Sequence, residues 1–357
     1  MNHAALGPVS LPVKEAITNY LENCAYHGSQ DFLKWMDRLE AIRASLAELI
    51  VAKAQEMAFV ENTSQGLNAI ANSLQWEPGD VVLISYPEFP ANIYPWLNLQ
   101  RLGVTIRYLE RQKGSISINN ALNSICPRTR LLVISSVDYA TGFAADLEGL
   151  GQMCQSKGIL FCLDAIQSLG LLPIDVKAAH VHFMSSGGYK WLLGPMGTGC
   201  LFIDDSVRHF LQPSHVGWKS VINPEDFDID FTLKKEAARF EPGNLNLAGI
   251  FGLGASVDLL LEIGIPTIWQ RVKRLIQKLQ EGIEQRGLSV YPGLGASERS
   301  GILTFIPPKN PEDLARFLED QGIAVSLRHG RIRLSPHFYN NNQDIEYILS
   351  VLDQYLS

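Results

Sequence analysis

Cysteine is scarce in this sequence and basic residues do not cluster, and both absences exclude classes of protein. The five cysteines are scattered, with no Cys-x-x-Cys pair. Neither a disulfide framework nor a zinc site is therefore predicted, and a reducing cytoplasm is the expected location. The net charge is −7 and no Lys/Arg-rich tract is present, which argues against nucleic acid as a partner.

Long uninterrupted apolar runs are also missing. The first residues, Met1-Asn-His-Ala-Ala-Leu-Gly-Pro8, have neither the basic start nor the hydrophobic run of a signal peptide. The most apolar later stretch, 245–265, contains Asn246, Asp258 and Glu262. It predicts a buried helix rather than a membrane span, so no membrane partner is expected.

What the sequence does contain is a regular alternation of short β-like runs with helical patterns. Several of the runs are apolar throughout, which is typical of strands buried on both faces of a parallel sheet. The β-like runs lie at 57–60, 81–85, 106–109, 131–135, 160–163, 182–185 and 200–203, and helical patterns lie at 64–74, 92–102 and 147–157. The pattern predicts an α/β fold with a mostly parallel central sheet.

The pattern changes after about residue 250. A long helical segment at 267–286 precedes β-like segments at 301–306, 324–326 and 331–334 and helices at 311–321 and 343–355. This is typical of an α+β unit. We predict a large α/β domain over 20–248 and a smaller α+β domain formed by 1–19 and 249–357.

Lys190 is the first candidate for chemistry. It follows an apolar run and lies among Gly187, Gly188 and Gly194, where backbone can approach a bulky ligand. A lysine in this setting can form a Schiff base with pyridoxal 5′-phosphate (PLP) and move a proton at the substrate Cα. An isolated lysine is more often a surface charge, but these glycines favour the functional interpretation.

Two further segments lie where the ends of strands meet in a parallel sheet. Asp164 ends an apolar run and is followed by Gln167. The Asp164 carboxylate could keep a pyridine nitrogen protonated, or it could only cap a helix. Thr63 and Ser64 follow the first run and open a helix, which is a setting for a phosphate or a plain helix cap.

In this order, the segments resemble the class V (cysteine desulfurase-like) branch of fold-type I PLP enzymes over essentially the whole chain. That branch includes kynureninase, isopenicillin N epimerase and several aminotransferases. The resemblance implies an aspartate-aminotransferase-like fold, PLP as cofactor, an amino-acid substrate and a homodimer with a shared active site.

The resemblance also implies roles for individual residues around PLP. Thr63 and Ser64 would hold the phosphate, with Tyr189 replacing a phosphate-binding histidine. Phe89, in Glu88-Phe-Pro-Ala-Asn-Ile-Tyr-Pro-Trp96, would stack on the ring where desulfurases use histidine. Asp164 and Gln167 match an Asp-x-x-Gln pair, and Lys190 matches the Schiff-base lysine.

Later motifs imply substrate and partner contacts. Asn244 ends Arg239-Phe-Glu-Pro-Gly-Asn244 and would reach the phosphate of the neighbouring subunit; Trp218 is a weaker match of the same kind. Arg333, in Arg333-Leu-Ser-Pro-His-Phe-Tyr-Asn340, would bind the substrate α-carboxylate through its guanidinium fork. His337 lies near it in the sequence and could touch substrate.

Departures from the family pattern bear on the activity. No cysteine follows Cys200, and 324–331 runs almost directly into Arg333, leaving no room for the loop that carries the desulfurase thiol. Asp138, in Ser136-Val-Asp-Tyr-Ala-Thr-Gly142, stands where kynureninase has asparagine. We place Asp138 at the cofactor site, where it could bind a substrate amino or guanidino group, or it could be an ordinary polar loop residue.

The leading prediction is a PLP-dependent aminotransferase that is not a cysteine desulfurase and binds no metal. A PLP-dependent β-lyase (including C–S bond cleavage) or an amino-acid epimerase would use the same residues, and the sequence does not separate them. A nucleotide-binding α/β protein is the alternative of another class. It has little support, because no Gly-x-Gly-x-x-Gly or Gly-Lys-Ser/Thr motif follows an early strand.

Overall fold

The apolar runs between residues 57 and 203 form one seven-stranded sheet in a computed structural model that describes residues 1–112 and 114–357. Each predicted run becomes a strand whose ends shift by two residues or fewer. The strands are β1 (Met57–Val60), β2 (Val81–Tyr86), β3 (Thr105–Glu110), β4 (Thr129–Ser135), β5 (Leu160–Asp164), β6 (Phe183–Gly187) and β7 (Gly199–Ile203).

The sheet has the order β1-β7-β6-β5-β4-β2-β3. β2 is parallel to β3 and β4, and β4, β5 and β6 continue in the same direction. β7 is antiparallel to both of its neighbours, β1 and β6. The predicted α/β fold with a mostly parallel sheet is thus confirmed, and helices cover both faces because the central strands are apolar on both sides.

Eleven α-helices accompany the strands in the described part of the chain. They are α1 (Leu11–His27), α2 (Phe32–Glu48), α3 (Thr63–Ser73), α4 (Tyr94–Leu97), α5 (Ile118–Ser124), α6 (Leu147–Lys157), α7 (Asp205–Arg208), α8 (Leu247–Ile263), α9 (Ile265–Gln285), α10 (Pro311–Asp320) and α11 (Asn342–Leu356). The sequence analysis did not identify α1 and α2. A signal was present, because Leu39, Ile42 and Leu46 of α2 have helical spacing and are all buried.

The apolar stretch around residue 255 forms α8, and α1 and α2 pack against it. Ile250, Leu253, Val257 and Leu260 of α8 are buried, as expected for a core helix. In the described residues, no single helix has both the length and the apolar composition to cross a membrane. α8 and α9 meet these criteria only when taken together, and the chain bends by 80° between them.

The helix predicted over 92–102 is the main secondary-structure error. Two 3₁₀ segments, Pro90–Asn92 and Asn98–Leu102, flank the single turn of α4 there. Pro90 begins the first 3₁₀ segment and Pro95 is the second residue of α4, and proline lacks the N–H that an α-helix interior needs. The region therefore winds as short turns and ends at Gly103, whose φ is 80°.

The C-terminal part contains a second, antiparallel sheet in the order β10-β11-β9-β8. Its strands are β8 (Ser289–Val290), β9 (Leu303–Ile306), β10 (Ser326–Arg328) and β11 (Arg331–Leu334). The chain start packs on this sheet, since Asn2 forms a parallel bridge to Ser335. The division into 20–248 and 1–19 with 249–357 stays a prediction.

Candidate active site

Three segments that follow strands meet at one edge of the seven-stranded sheet. β1 and β6 are both antiparallel to β7, so they run in the same direction as each other. β5 is parallel to β6 and runs in that direction too. Ligands of open α/β sheets bind outside the carboxyl ends of such strands. A cavity opens there, lined by Asn62, Thr63, Ser64, Phe89, Ala91, Ser135, Tyr139, Asp164, Ile166, Gln167, Tyr189 and Lys190.

Lys190 reaches this cavity from the loop after β6. Its side chain is almost fully buried, and Nζ lies 5.9 Å from the centroid of the Phe89 ring. Within the described residues, no carboxylate lies within 4 Å of Nζ. Burial lowers the pKa of the Lys190 amine to about 8; Asp164 opposes this shift, and Arg333 and Arg328 add to it. The amine is therefore far more often neutral than an exposed lysine at the same pH.

The loop that carries Lys190 is held by backbone from the start of the chain. Gly7 donates its N–H to the Tyr189 carbonyl oxygen at 2.9 Å. A Cβ on Gly7 would meet the Lys190 carbonyl oxygen at 2.5 Å, so the approach requires glycine. The chain start is thereby a structural support of the lysine loop.

Asp164, at the end of β5, is the second buried charged group. One carboxylate oxygen, Oδ1, accepts the Ile166 N–H at 2.9 Å. Burial raises the pKa of the Asp164 carboxyl to about 7, and Lys190 lowers it. A cationic group bound beside it would favour the charged carboxylate, which makes Asp164 a suitable partner for a protonated ring nitrogen.

The start of α3 forms one end of the cavity. Asn62 caps the helix by accepting the Gln65 N–H. Thr63 is anchored twice: its hydroxyl accepts the Gly187 N–H at 2.9 Å, and its carbonyl oxygen accepts the Ser185 hydroxyl at 3.0 Å. The first N–H groups of a helix have no intrahelical partner, so this end can hold a phosphate.

The remaining predicted cofactor residues of this cavity are Gln167, Tyr189 and Phe89. The Gln167 amide donates one N–H to the Ala4 carbonyl oxygen and accepts the Trp191 indole N–H, which leaves its second N–H for another partner. Phe89 is 45% exposed, so its ring face can take a planar ligand. Tyr139 packs edge-on against it at 5.2 Å between ring centroids.

Arg333, on β11, is buried and forms no ion pair with an acidic residue in the described part of the chain. Its Nη1 donates to the Tyr139 carbonyl oxygen at 2.6 Å and its Nη2 to the Ser326 hydroxyl at 3.3 Å. Its Nε is buried and has no hydrogen-bond partner in the described residues. Burial lowers the pKa of Arg333 to about 9, so the side chain keeps its charge at neutral pH and can receive an anion.

A buried ionic cluster supports the loops of both aromatic residues. Arg111 Nη2 lies 3.6 Å from a Glu88 oxygen and 3.5 Å from an Asp138 oxygen. Glu88 accepts the Phe89 N–H, and Asp138 accepts the Thr141 N–H. Glu88 and Asp138 lie beside Phe89 and Tyr139 respectively, so the cluster fixes the backbone that carries the two rings.

Asp138 is thus held by its own loop and by Arg111, and it is not among the residues that line the cavity. Sequence reasoning missed Arg111 and the role of Glu88. A signal existed for Arg111, because it directly follows β3 and so lies at the sheet edge where the strands end.

Four other predicted residues do not line the cavity: Arg333, which contacts the carbonyl oxygen of the cavity residue Tyr139, and His337, Trp218 and Asn244. His337 is buried; its Nε2 bonds to the Trp191 carbonyl oxygen and its Nδ1 accepts the Phe338 N–H. Burial lowers the pKa of His337 to about 3. The placement of its ring gives no support to a substrate contact. Trp218 and Asn244 lie on the exposed surface of this chain.

Comparison with known proteins covers the full length of this fold. A family model described as Aminotransferase class-V matches residues 3–348. A "Probable cysteine desulfurase" of Methanothermobacter thermautotrophicus is 29% identical over 378 residues, covering 99% of this chain and 94% of that protein. The "Uncharacterized aminotransferase YcbU" of Bacillus subtilis is 26% identical over 338 residues, covering 95% and 89%.

Among solved structures, a variant of C-DES with glycine covalently linked to its PLP cofactor has the same fold. The TM-score is 0.91 at 23% identity, and the match covers 98% of this chain and 95% of that one. At this identity the likeness is one of fold.

Proposed function

The chain belongs to the aminotransferase class-V family of PLP-dependent enzymes, and from this premise we propose that it is an aminotransferase that acts on an α-amino acid. One observation carries the proposal. The buried Lys190 amine, the buried Asp164 carboxylate and the start of α3 line a single cavity. These are the three groups that PLP needs: an amine for its aldehyde, an anion for its ring nitrogen and N–H donors for its phosphate.

The residues of the cavity fit PLP by their chemistry. Thr63 and Ser64 would hold the phosphate, Asp164 the ring nitrogen, and Phe89 the ring face. Gln167 has one free N–H for the ring hydroxyl, and Tyr189 lines the same cavity. Bound PLP withdraws electrons from the substrate Cα, so that the proton on Cα becomes acidic.

Lys190 and Arg333 would divide the remaining work. Arg333 binds the α-carboxylate and so fixes how the Cα–H bond points. Lys190 as a neutral amine takes the Cα proton, and its lowered pKa keeps a useful fraction neutral near pH 7 to 8. The amino group passes from an amino acid to a 2-oxo acid in two half-reactions.

The cysteines support the part of the proposal that excludes a desulfurase, although relatives carry that name. Burial raises the pKa of the Cys154 and Cys200 thiols to about 12, and no cysteine lines the cavity. Only His329 and Gly330 separate β10 from β11, so the hairpin has no extra loop for a nucleophilic thiol. The five thiols, all free, also fit the cytoplasm that we propose as the location.

The test is a spectral titration of the PLP-loaded protein with a panel of amino acids and no oxo-acid acceptor. An aminotransferase converts its PLP to pyridoxamine phosphate and releases one equivalent of oxo acid. A β-lyase keeps its PLP and releases pyruvate and ammonia continuously, and an epimerase inverts Cα without net change. Either of the last two outcomes would replace the proposal.

We predict that capture of PLP by the PLP-free protein accelerates with rising pH, with a midpoint near 8. Only the neutral amine attacks the aldehyde, and burial lowers the pKa of Lys190 from its ordinary 10.5 to about 8. About a tenth of the amine is then neutral at pH 7. The rate of absorbance change between pH 6 and 10 measures this. Because Asp164 raises the pKa of Lys190, Asp164→Asn should shift the midpoint downward; a wild-type midpoint above 10 would contradict the assignment.

We further propose a homodimer in which Asn244 and Trp218 of each subunit complete the phosphate site of the other. The support is the family resemblance together with the exposure of both residues outside their own cavity. Sedimentation should give twice the chain mass of 39.6 kDa. Asn244→Ala should weaken PLP retention without changing that mass, and a PLP-saturated monomer would contradict the proposal.

A further inference from the structure

The hairpin of β10 and β11 concentrates positive charge beside the active-site cavity. Ser326 pairs with Arg333, and Arg328 pairs with Arg331. Directly paired residues of antiparallel strands point to the same side of a sheet. The three arginines therefore share one face of the hairpin, although like charges placed opposite each other destabilise a strand pair.

The three arginines differ in what holds them. Arg331 stacks on Tyr291, with its guanidinium carbon 3.8 Å from the ring centroid. The only described hydrogen bond of the Arg328 side chain goes to the adjacent Leu327 carbonyl oxygen, at 2.8 Å. Within the described residues, no carboxylate lies within 4 Å of any of the three. Arg328 is thus a cation without a counterion and without an aromatic partner.

Arg328 lies on the same face of the hairpin as Arg333. Its charge lowers the pKa values of both Lys190 and Arg333. Tyr139 connects the hairpin to the cavity that it lines, since its hydroxyl bonds to His329 and its carbonyl oxygen accepts from Arg333.

The nearby acids, Asp138 and Glu88, form no ion pair with Arg328 or Arg333 in the described residues, although the Asp138 charge opposes burial and raises the pKa of Arg333. Asp138 faces Arg111 and accepts three hydrogen bonds from its own loop. Glu88 is occupied by Arg111 and by the hydroxyls of Ser85 and Ser135. Arg328 and Arg333 share one face of the hairpin, and no carboxylate among the described residues lies within 4 Å of either guanidinium.

We infer that the substrate is an α-amino acid whose side chain carries a second carboxylate, and that Arg328 binds this second carboxylate. The inference rests on the proposed function, in which Arg333 binds the α-carboxylate. A neutral side chain would leave Arg328 unpaired. An anionic side chain supplies the missing counterion, and a guanidinium fork matches a carboxylate in geometry as well as charge.

The first experiment measures binding of anions that cannot react, because they have no amino group. Succinate, glutarate and butyrate are titrated into the PLP-loaded protein by isothermal calorimetry. The better dicarboxylate should bind at least about tenfold more tightly than butyrate, the gain expected from one charge-assisted contact. Arg328→Gln should reduce this ratio to below about twofold, and Arg328→Lys should keep part of it.

Arg331→Gln is the matched control, since it removes the same charge from the same face but from a residue that stacks on Tyr291. It should leave the ratio unchanged. Equal binding of dicarboxylates and butyrate to the wild type would overturn the inference, and so would an unchanged ratio in Arg328→Gln.

The second experiment asks which amino acid supplies the second carboxylate. L-Glutamate is compared with L-glutamine, L-aspartate with L-asparagine, and L-cystine with S-methyl-L-cysteine. One anionic member should have a kcat/KM at least about tenfold above its neutral counterpart, and Arg328→Gln should lose that advantage through KM. A preference for the neutral member in every pair would refute the inference.

The two proposals fail separately. A protein that releases pyruvate and ammonia, yet binds a dicarboxylate tightly through Arg328, refutes the aminotransferase and keeps the inferred substrate class. A protein that transaminates neutral amino acids, and binds glutarate no better than butyrate, keeps the aminotransferase and refutes the inferred substrate class.

Discussion

Replacement of Lys190 by alanine should abolish covalent attachment of PLP and lower the turnover of amino acids by about 10⁴-fold. The amine is the only lysine nitrogen among the residues that line the cavity. Its loss removes both the group that joins the aldehyde and the base at Cα, and a positioned acid–base group contributes up to about 10⁴-fold. Borohydride reduction followed by mass spectrometry measures the adduct, and single-turnover kinetics measure the rate.

Two variants make this result specific. Lys157→Ala removes an exposed lysine at the end of α6 and should keep both the adduct and the activity. Lys190→Arg keeps a positive charge but not a nucleophilic amine, and should behave like Lys190→Ala. A borohydride-stable adduct at full stoichiometry in Lys190→Ala would show that another amine holds the cofactor. Added methylamine should restore part of the rate if Lys190 is the base, whereas it would not correct a folding defect.

Replacement of Arg333 should separate substrate binding from cofactor binding. Arg333→Lys should keep the PLP absorbance but raise KM for amino acids by about 30- to 100-fold, because lysine cannot copy the two parallel N–H donors of a guanidinium. The turnover number at saturation should change less, since the loss falls mainly on binding. Steady-state kinetics with a saturating oxo acid measure both quantities.

Stability gives a second readout for Arg333. Arg333 is 1% exposed. Within the described residues its Nε has no hydrogen-bond partner and no carboxylate lies within 4 Å of its guanidinium. An unpaired buried cation costs folding free energy, so Arg333→Met should raise the melting temperature of the substrate-free protein by a few degrees. Arg331→Met, on the same strand, should not raise the melting temperature. A large drop in melting temperature with an unchanged KM would make Arg333 a structural residue.

The buried charges around Lys190 reduce the folding stability of the ligand-free protein. Burial disfavours the charged forms of Lys190, Asp164 and Arg333, as their shifted pKa values indicate. A bound ligand would supply each of these groups with a partner of opposite charge or, for Lys190, with an aldehyde. Strained or unsatisfied groups of this kind are typical of sites built for binding rather than for stability.

Some of this site could be predicted from local sequence. Asp164 and Lys190 each come at or just after an apolar strand, and parallel strands bring such positions to one edge. Thr63 and Ser64 open a helix behind another strand. The strand pattern was sufficient to predict these positions. The alternation of side chains and the length of an apolar run are local properties, which the tertiary structure preserved.

Other parts depended on contacts between residues far apart in the chain. The short sequence distance between His337 and Arg333 predicts a substrate contact for His337, yet the chain turns after β11 and the His337 ring bonds to the Trp191 backbone. Arg111 was overlooked because its partners, Glu88 and Asp138, come from two different loops. The predicted helix over 92–102 failed because two prolines outweigh an apolar pattern.

The sequence by itself determined the α/β class, the order of the strands along the chain and the candidate lysine, aspartate and phosphate segment. These follow from periodicity and from residue type at strand ends, which need no knowledge of packing. Only the tertiary structure decided which charges are paired. Asp138 and Glu88 are ion-paired with Arg111, whereas no carboxylate of the described residues lies within 4 Å of Arg328 or Arg333. The physical reason is that burial and charge pairing depend on distances across the fold, and spacing along the chain does not record those distances.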